Sequence, residues 1–255
     1  SRLDKFVHFQ SVLLDLSRQD APDLDTSFRR FCEAAATTLD VERVSIWLLD
    51  ETHSTLVSAC VYTRSRHAFE KGARIQAKEY PRYFAALAET RVVTASRADQ
   101  DPQTKELAEA YLKPLGIVSM MDVPIRLHGR LVGVLCHEHT GTPREWPLEE
   151  QDFGSSIADM AALSLEAGDR RRAQEELREE RNFSAAVLES TGMMVVVLDP
   201  GARIVRMNRA ACHLTGWSIA EAQGKLFWEL LTAPENIEAV REILAKPPSD
   251  ATSSQ

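Results

Sequence analysis

Long apolar runs are missing from this chain of 255 residues, the longest lying around residues 193–198. A membrane-spanning helix needs roughly 18, so no span is expected. An excess of positive charge is missing as well. With 30 Lys and Arg against 38 Asp and Glu, the formal net charge is -8, which argues against the broad basic surface of a nucleic-acid-binding protein. Cysteine is sparse: Cys32, Cys60, Cys136 and Cys212 form no Cys-x-x-Cys pair, and no secretory signal precedes them. A reduced, cytoplasmic protein is the simplest account. Catalytic signatures are missing too, with no Gly-x-Ser-x-Gly elbow, phosphate-binding loop or His-Glu-x-x-His, so no enzyme acting within this chain is expected. The chain begins at Ser1 and ends in Ser-Asp-Ala-Thr-Ser-Ser-Gln, and is expected to be a segment of a longer polypeptide.

What is present is ordinary for a globular protein: 44% apolar and 27% charged residues. Residues 3–18 carry Leu3, Val7 and Leu14 on one helical face and Phe6, Phe9, Leu13 and Leu16 on another. The second face suggests a partner helix from another copy of the chain. Ala21-Pro22-Asp23 breaks this helix, and Asp25, Thr26 or Ser27 can cap a second one ending near Asp40. Strands are expected at 43–49, 55–62, 91–94, 117–125 and 130–139, with helices at 80–89 and 104–112. Arg126-Leu127-His128-Gly129 marks a hairpin. Residues 131–136 contain no polar side chain, which predicts a strand covered on both faces. An antiparallel sheet flanked by helices, an α+β fold, fits this order.

From Leu148 to about Ser190 the pattern is helical, with an apolar stripe at Phe153, Ile157 and Met160. Past Glu166 it becomes a charged stalk in which pairs such as Arg171/Glu175 and Glu166/Arg170 are expected. A solvated connecting helix and a continuous coiled coil both fit it. A hairpin is expected next, at 195–199 and 203–207 around Pro200-Gly201. Asn208 can cap a helix that Gly216 ends, with further helical pieces near 219–222 and 235–245. The expected organisation is an N-terminal dimerisation helix (1–20), a first domain (21–167), a charged linker (168–182) and a partial second domain (183–255).

Chemistry-bearing residues are few. His137 and His139 lie two apart on a strand, so they share a face and can jointly reach a metal or a tetrapyrrole. Equally, they can end a buried strand and hydrogen-bond nearby loops. Asp122, between Met121 and Val123, is a charge where few belong; it needs a partner, a ligand or the Arg144 region. Tyr80, Tyr83 and Phe84 can cover a pocket over the sheet or belong to the core. Arg144 and Trp146 are expected to fasten their loop to the start of the long helix. The candidate ligand-binding residues are Tyr83, Met121, Asp122, His137 and His139; no catalytic or metal set is assigned.

Two stretches resemble known families. Residues 101–167 contain Asp101-Pro102-Gln103-Thr104, Tyr111-Leu112, Gly116 to Ile125 (GIVSMMDVPI), Gly133 to His139 (GVLCHEH) and Pro143-Arg144-Glu145-Trp146. They resemble a bacterial GAF sensor domain, in register from roughly Leu24 to Glu166. Residues 183–246, with Val197-Leu198-Asp199, Gly201, Ile204-Val205, Asn208-Arg209-Ala210 and Leu214-Thr215-Gly216-Trp217, resemble the first half of a PAS domain. The resemblance implies signal input: a small ligand, cofactor or partner is sensed and a conformational change passes along a helix. Such arrays usually precede a histidine kinase or a diguanylate cyclase. Neither a phosphoacceptor-helix motif nor Gly-Gly-Asp-Glu-Phe occurs here, so the output is expected beyond Gln255. The expectation is therefore the input region of a sensor histidine kinase of a two-component system, with a diguanylate cyclase parent or a GAF module that only dimerises as alternatives. A homodimer through the N-terminal and linker helices is expected.

The family's known ligands are partly excluded. The Asn-Lys-x-Phe-x-Asp-Glu signature of cyclic-nucleotide binders is absent, since no asparagine precedes Asn182. The Asp-Ile-Pro segment of bilin-binding members is missing. Where flavin-photosensing PAS domains have Gly-x-Asn-Cys-Arg-Phe-Leu, this chain reads Gly224-Lys225-Leu226-Phe227-Trp228-Glu229-Leu230, without the reactive cysteine.

Overall fold

A computed structural model describes residues 2–18, 21–190 and 192–245. The chain divides into two units, Ser1–Arg172 and Ala173–Gln255. The first opens with helices α1 (Arg2–Arg18) and α2 (Leu24–Leu39). The α2 cap is Asp23 rather than residues 25–27: its carboxylate accepts from Thr26 N at 2.7 Å, because an N-cap carboxylate reaches the backbone N–H three residues on. Strands β1 (Arg43–Leu49), β2 (Thr55–Thr63), β3 (Ala68–Glu70) and β4 (Arg74–Gln76) come next. The last two, three residues each, are too short to show alternation in sequence. They lead into α3 (Pro81–Glu89), β5 (Val93–Ala95), β6 (Ile117–Leu127) and β7 (Arg130–Thr140).

The seven strands form one antiparallel sheet in the order β3-β2-β1-β7-β6-β5, with β4 also pairing β2. Of the stretch 131–136 expected to be covered on both faces, residues 133–136 are buried and Leu131 and Val132 are partly buried, while the burial continues through the polar His137 and Glu138. The β6–β7 connection turns at His128 (φ 50) and Gly129 (φ 79). Two consecutive left-handed residues match the right-handed twist of a hairpin. Near this turn Arg126 pairs Leu131 while Ile125 pairs Gly133, leaving Val132 as an extra residue. The bulge shifts the side-chain alternation of everything after it.

The expected regular helix at 104–112 is instead a 3-10 turn (Lys105–Leu107), a π turn (Ala108–Leu112) and a single α turn, α4 (Lys113–Leu115), closed by Gly116 at φ 66. Pro114 has no N–H for the carbonyl four residues back, so a regular ladder cannot run through it.

One sheet face carries Val44, Ile46, Val123, Ile125 and Leu135 under α1, α2 and the start of α5 (Leu148–Ser190). The other carries Trp47, Leu56, Met120 and Val134 under α3 and the 105–115 segment. On α1, Phe9 stacks on Phe153 of α5 at 4.7 Å, and Val12, Leu13 and Leu16 lean on the same core. One of the two apolar faces of α1, with Phe9, Leu13 and Leu16, therefore serves its own domain. Leu3, Phe6, Val7 and Leu14 are exposed, Phe6 having left the face assigned to it. Arg144 and Trp146 do fasten the loop: Arg144 Nη2 donates to Glu150 Oε2 at 2.6 Å, and its guanidinium lies 4.4 Å over the Trp146 ring. Along α5 the side chains at 171–183 are exposed. Glu166 and Arg170 pair at 3.7 Å, but Arg171 turns back to Pro22 O at 3.1 Å instead of joining Glu175.

The second unit holds the end of α5 and a two-stranded ribbon, β8 (Val196–Leu198) with β9 (Ile204–Met207). Beyond it lie four short helices: α6 (Arg209–Thr215), α7 (Ile219–Ala222), the unanticipated α8 (Phe227–Leu231), and α9 (Ile237–Ala245). Asn208 caps α6 by accepting from Ala211 N at 2.9 Å, and Gly216 ends it at φ 76. The core here is small: Ile204, Met207, Ala211 and Ala222. Among the described residues no helix is long and apolar enough to cross a membrane.

Candidate functional site

The site is built on the central hairpin, where alternation sends neighbouring residues to opposite faces. Asp122 of β6 pairs Cys136 of β7, and Met120 pairs Glu138. These four side chains share the face that α3 covers. Helix α3 is anchored at its start by Glu106, whose Oε2 accepts from Arg82 N at 2.9 Å. That anchoring directs Tyr83 inward. Its hydroxyl donates to Asp122 Oδ2 at 2.6 Å and lies 3.8 Å from Cys136 Sγ. From the π turn, Tyr111 makes the matching contact, donating to Glu138 Oε1 at 2.6 Å. Arg43 of β1 completes it, with Nε 2.9 Å from Glu138 Oε2.

The two carboxylates differ in electrostatic state. Glu138 is fully buried but faces the Arg43 guanidinium, so its charge is compensated. Asp122 is equally buried and, among the described residues, has no cation beside it. Burial pushes its carboxyl up to about 7, the Glu138 charge adds to the rise, and the Tyr83 hydrogen bond opposes it. Its second oxygen, Oδ1, has no hydrogen-bond partner. Burial likewise holds the Tyr83, Tyr111 and Cys136 protons in place by raising their pKa values. Among these groups lies a cavity of about 10 Å³, lined by Trp47, Leu56, Tyr83, Tyr111, Cys136 and Glu138 among others. That is about the room of one water molecule.

Met121 and His137 occupy the opposite face, toward α5. The Nδ1–H of His137 donates to the Met121 carbonyl at 3.0 Å, while Nε2 has no partner. Burial brings the His137 pKa down to about 4, so the ring is neutral. Gly154 of α5 sits against both. A Cβ there would lie 3.1 Å from Met121 Cε and 3.2 Å from His137 Cε1. His139 is half-buried on the same face, its pKa held low by burial and by Arg144.

Of the five residues singled out from sequence, Tyr83 and Asp122 are thus in direct contact, whereas Met121, His137 and His139 lie across the sheet from them. Asp122 finds Tyr83 rather than the Arg144 region, because Arg144 is engaged by Glu150 and Trp146. No group of three His, Cys, Asp or Glu side chains able to hold a metal occurs among the described residues. Sequence reading passed over Glu138, Tyr111, Cys136 and Arg43. Glu138 was open to the argument used for Asp122, a charge inside a strand buried on both faces; its pairing with Tyr111 and Arg43 depends on tertiary structure.

The GAF domain model matches residues 23–165, more than half of the sequence. The chain belongs to the GAF domain family. A PAS domain model matches residues 182–246, so the GAF domain is followed by a PAS region. No curated protein sequence matches the chain. Among solved structures, the GAF domain of a phosphoenolpyruvate-protein phosphotransferase from Coxiella burnetii aligns with a TM-score of 0.55 at 16% identity, covering 66% of this chain and 98% of that one. The photosensory core module of Stigmatella aurantiaca phytochrome gives 0.59 at 16%, covering 72% of this chain and 41% of its own. Free methionine-R-sulfoxide reductase from Neisseria meningitidis, solved in complex with its substrate, gives 0.51 at 16%, covering 64% and 89%. At these identities the likeness establishes the GAF fold alone.

Proposed function

We propose that the chain is the sensory input and transmission segment of a cytoplasmic bacterial signalling protein, with a sensor histidine kinase of a two-component system as the parent. Its GAF domain senses a small molecule between the sheet and α3. The observation that carries this reading is the cluster of Tyr83, Asp122, Tyr111 and Glu138: two buried carboxylates closed by tyrosines from two elements outside the sheet. Buried charge is costly and adds nothing to an apolar core, so its presence favours a site over a purely structural face. Adjacent residues of the same strands, Met121 and His137, press on α5 through Gly154. A displacement on the ligand face therefore reaches the helix that leads toward the PAS region.

A diguanylate cyclase parent is the alternative, since the GAF–helix–PAS order is shared by both kinds of array. We read the protein as a homodimer, since Leu3, Phe6, Val7 and Leu14 on α1 and Leu148 and Leu163 on α5 are exposed. The small cavity favours a second reading, a GAF module that only dimerises. Native mass spectrometry of the purified protein separates the two: a bound small molecule lost on Tyr83→Trp supports sensing, and a bare dimer supports the module.

A further inference from the structure

The chemistry of the closed pocket specifies what an occupant must bring. A cavity of about 10 Å³ lies far below the roughly 300 Å³ of a drug-sized site, so entry requires Tyr83 or Tyr111 to withdraw. Both are attached to elements outside the sheet, α3 and the π turn, whereas Asp122 and Glu138 stand on the two central strands. Withdrawal removes the hydroxyl donors and leaves carboxylate oxygens. Glu138 retains Arg43. Asp122 retains no cation, and its Oδ1 already lacks a hydrogen bond with Tyr83 in place. The surrounding walls are apolar: Trp47, which offers a ring, with Leu56, Met120 and Val134.

We infer that the α3-side pocket takes a compact organic cation, an amine, amidinium or guanidinium on a flat apolar body, whose N–H groups replace the Tyr83 hydroxyl on Asp122. The inference rests on the reading of this face as a ligand site and adds the ligand's class. A cation would hold Asp122 in the ionised form that burial disfavours, and would supply a donor to Oδ1, which has no hydrogen bond among the described residues. An anion placed there would meet a carboxylate with no intervening positive group.

The test uses the full 255-residue chain and three probes of one shape and different charge: benzamidine, benzamide and benzoate. Binding is followed by thermal shift and by tyrosine ring resonances. Benzamidine at concentrations up to about 10 mM, the range for fragment-sized ligands, is expected to raise the melting temperature; benzoate is expected to do nothing. Asp122→Asn should weaken benzamidine at least about tenfold. Tyr83→Phe, which removes the competing hydroxyl and keeps the ring, should bind it as well or better, so the inference does not hang on one variant's folding. Failure of benzamidine to bind, or binding indifferent to Asp122→Asn, overturns the inference. Binding of benzoate or benzamide that depends on Tyr83 would retain the ligand site and refute the cation. If no probe binds and native mass spectrometry finds no small molecule on the protein, the ligand-site reading falls with it.

Discussion

Gly154 of α5 lies so close to His137 of β7 that a single added methyl would stand 3.2 Å from the imidazole Cε1. The same methyl would come 3.1 Å from Met121 Cε and 3.3 Å from Val123 Cγ2. Gly154→Ala requires the side chains of Met121, His137 and Val123 to give by a few tenths of an ångström, and overpacking of this kind, where they resist, costs about 1–3 kcal/mol. Gly168, on the same helix, has nothing within 4 Å of such a methyl. Gly168→Ala is expected to stabilise by about 0.5–1 kcal/mol through helix propensity alone. Urea unfolding of both variants checks the opposite signs.

Buried Asp122 and His137 give stability opposing pH dependences. A carboxyl raised from 3.8 to about 7 binds its proton more tightly folded than unfolded, so its contribution is present at low pH and lost as pH rises from about 4 to 7. A histidine lowered from 6.5 to about 4 does the reverse, gaining stability over that rise. The two largely cancel in the wild type. Asp122→Asn should expose the histidine slope, with stability rising from pH 4 to 6.5 by up to roughly 3 kcal/mol. A flat profile in that variant would count against the buried neutral ring.

The exposed apolar residues of α1 bear on assembly. Light scattering at tens of micromolar is expected to show a dimer, and Val7→Lys, on a 59% exposed position, should shift it to monomer without altering the circular dichroism spectrum. A monomeric wild type would remove the dimer from the proposal.

Phase along α5 is testable in the parent protein. Side chains at 171–183 are exposed, so insertions there spare both cores. One residue added after Arg172 rotates the remainder of the helix by about 100°, whereas seven nearly restore a heptad phase. Regulation should be locked or lost in the first and largely kept in the second. Equal regulation in both would make the helix a passive tether.

The second unit should be the weaker of the two. Its ribbon has two strands, a number that is marginal without further packing, and its core cluster among the described residues buries only Ile204, Met207, Ala211 and Ala222. Hydrogen exchange at 196–207 is expected to be faster than at 133–138.

The sheet, the central hairpin and the 43-residue helix were legible because each has a strong local cause: runs of β-branched residues, a His128-Gly129 turn, an unbroken helical pattern. The N-cap at Asp23 was displaced by two residues because several acceptors stand together there. Asp122 stood out as a charge among apolar neighbours, and Tyr83 as an aromatic on a helix. That the two meet was not visible, since residues 83 and 122 are joined only by the fold. Alternation misplaced nothing on β6, yet it could not say which face was the pocket. Met121 and His137 were grouped with Asp122 although they point to the other layer.

The bulge at Val132 has a consequence for how the hairpin can vary in length. Pairing on the turn side, Arg126 with Leu131, and on the site side, Asp122 with Cys136, is regular; on β7 only Val132 is unpaired, the other irregularity lying at Val118 of β6. Its deletion would zip the ladder straight while every downstream residue kept its partner and its face. Deleting any residue from 133 to 135 without re-forming the bulge would instead carry Cys136 and Glu138 out of register with Asp122. Strand β7 thus has one expendable position, beside several where a missing residue would exchange a carboxylate for an imidazole in the pocket.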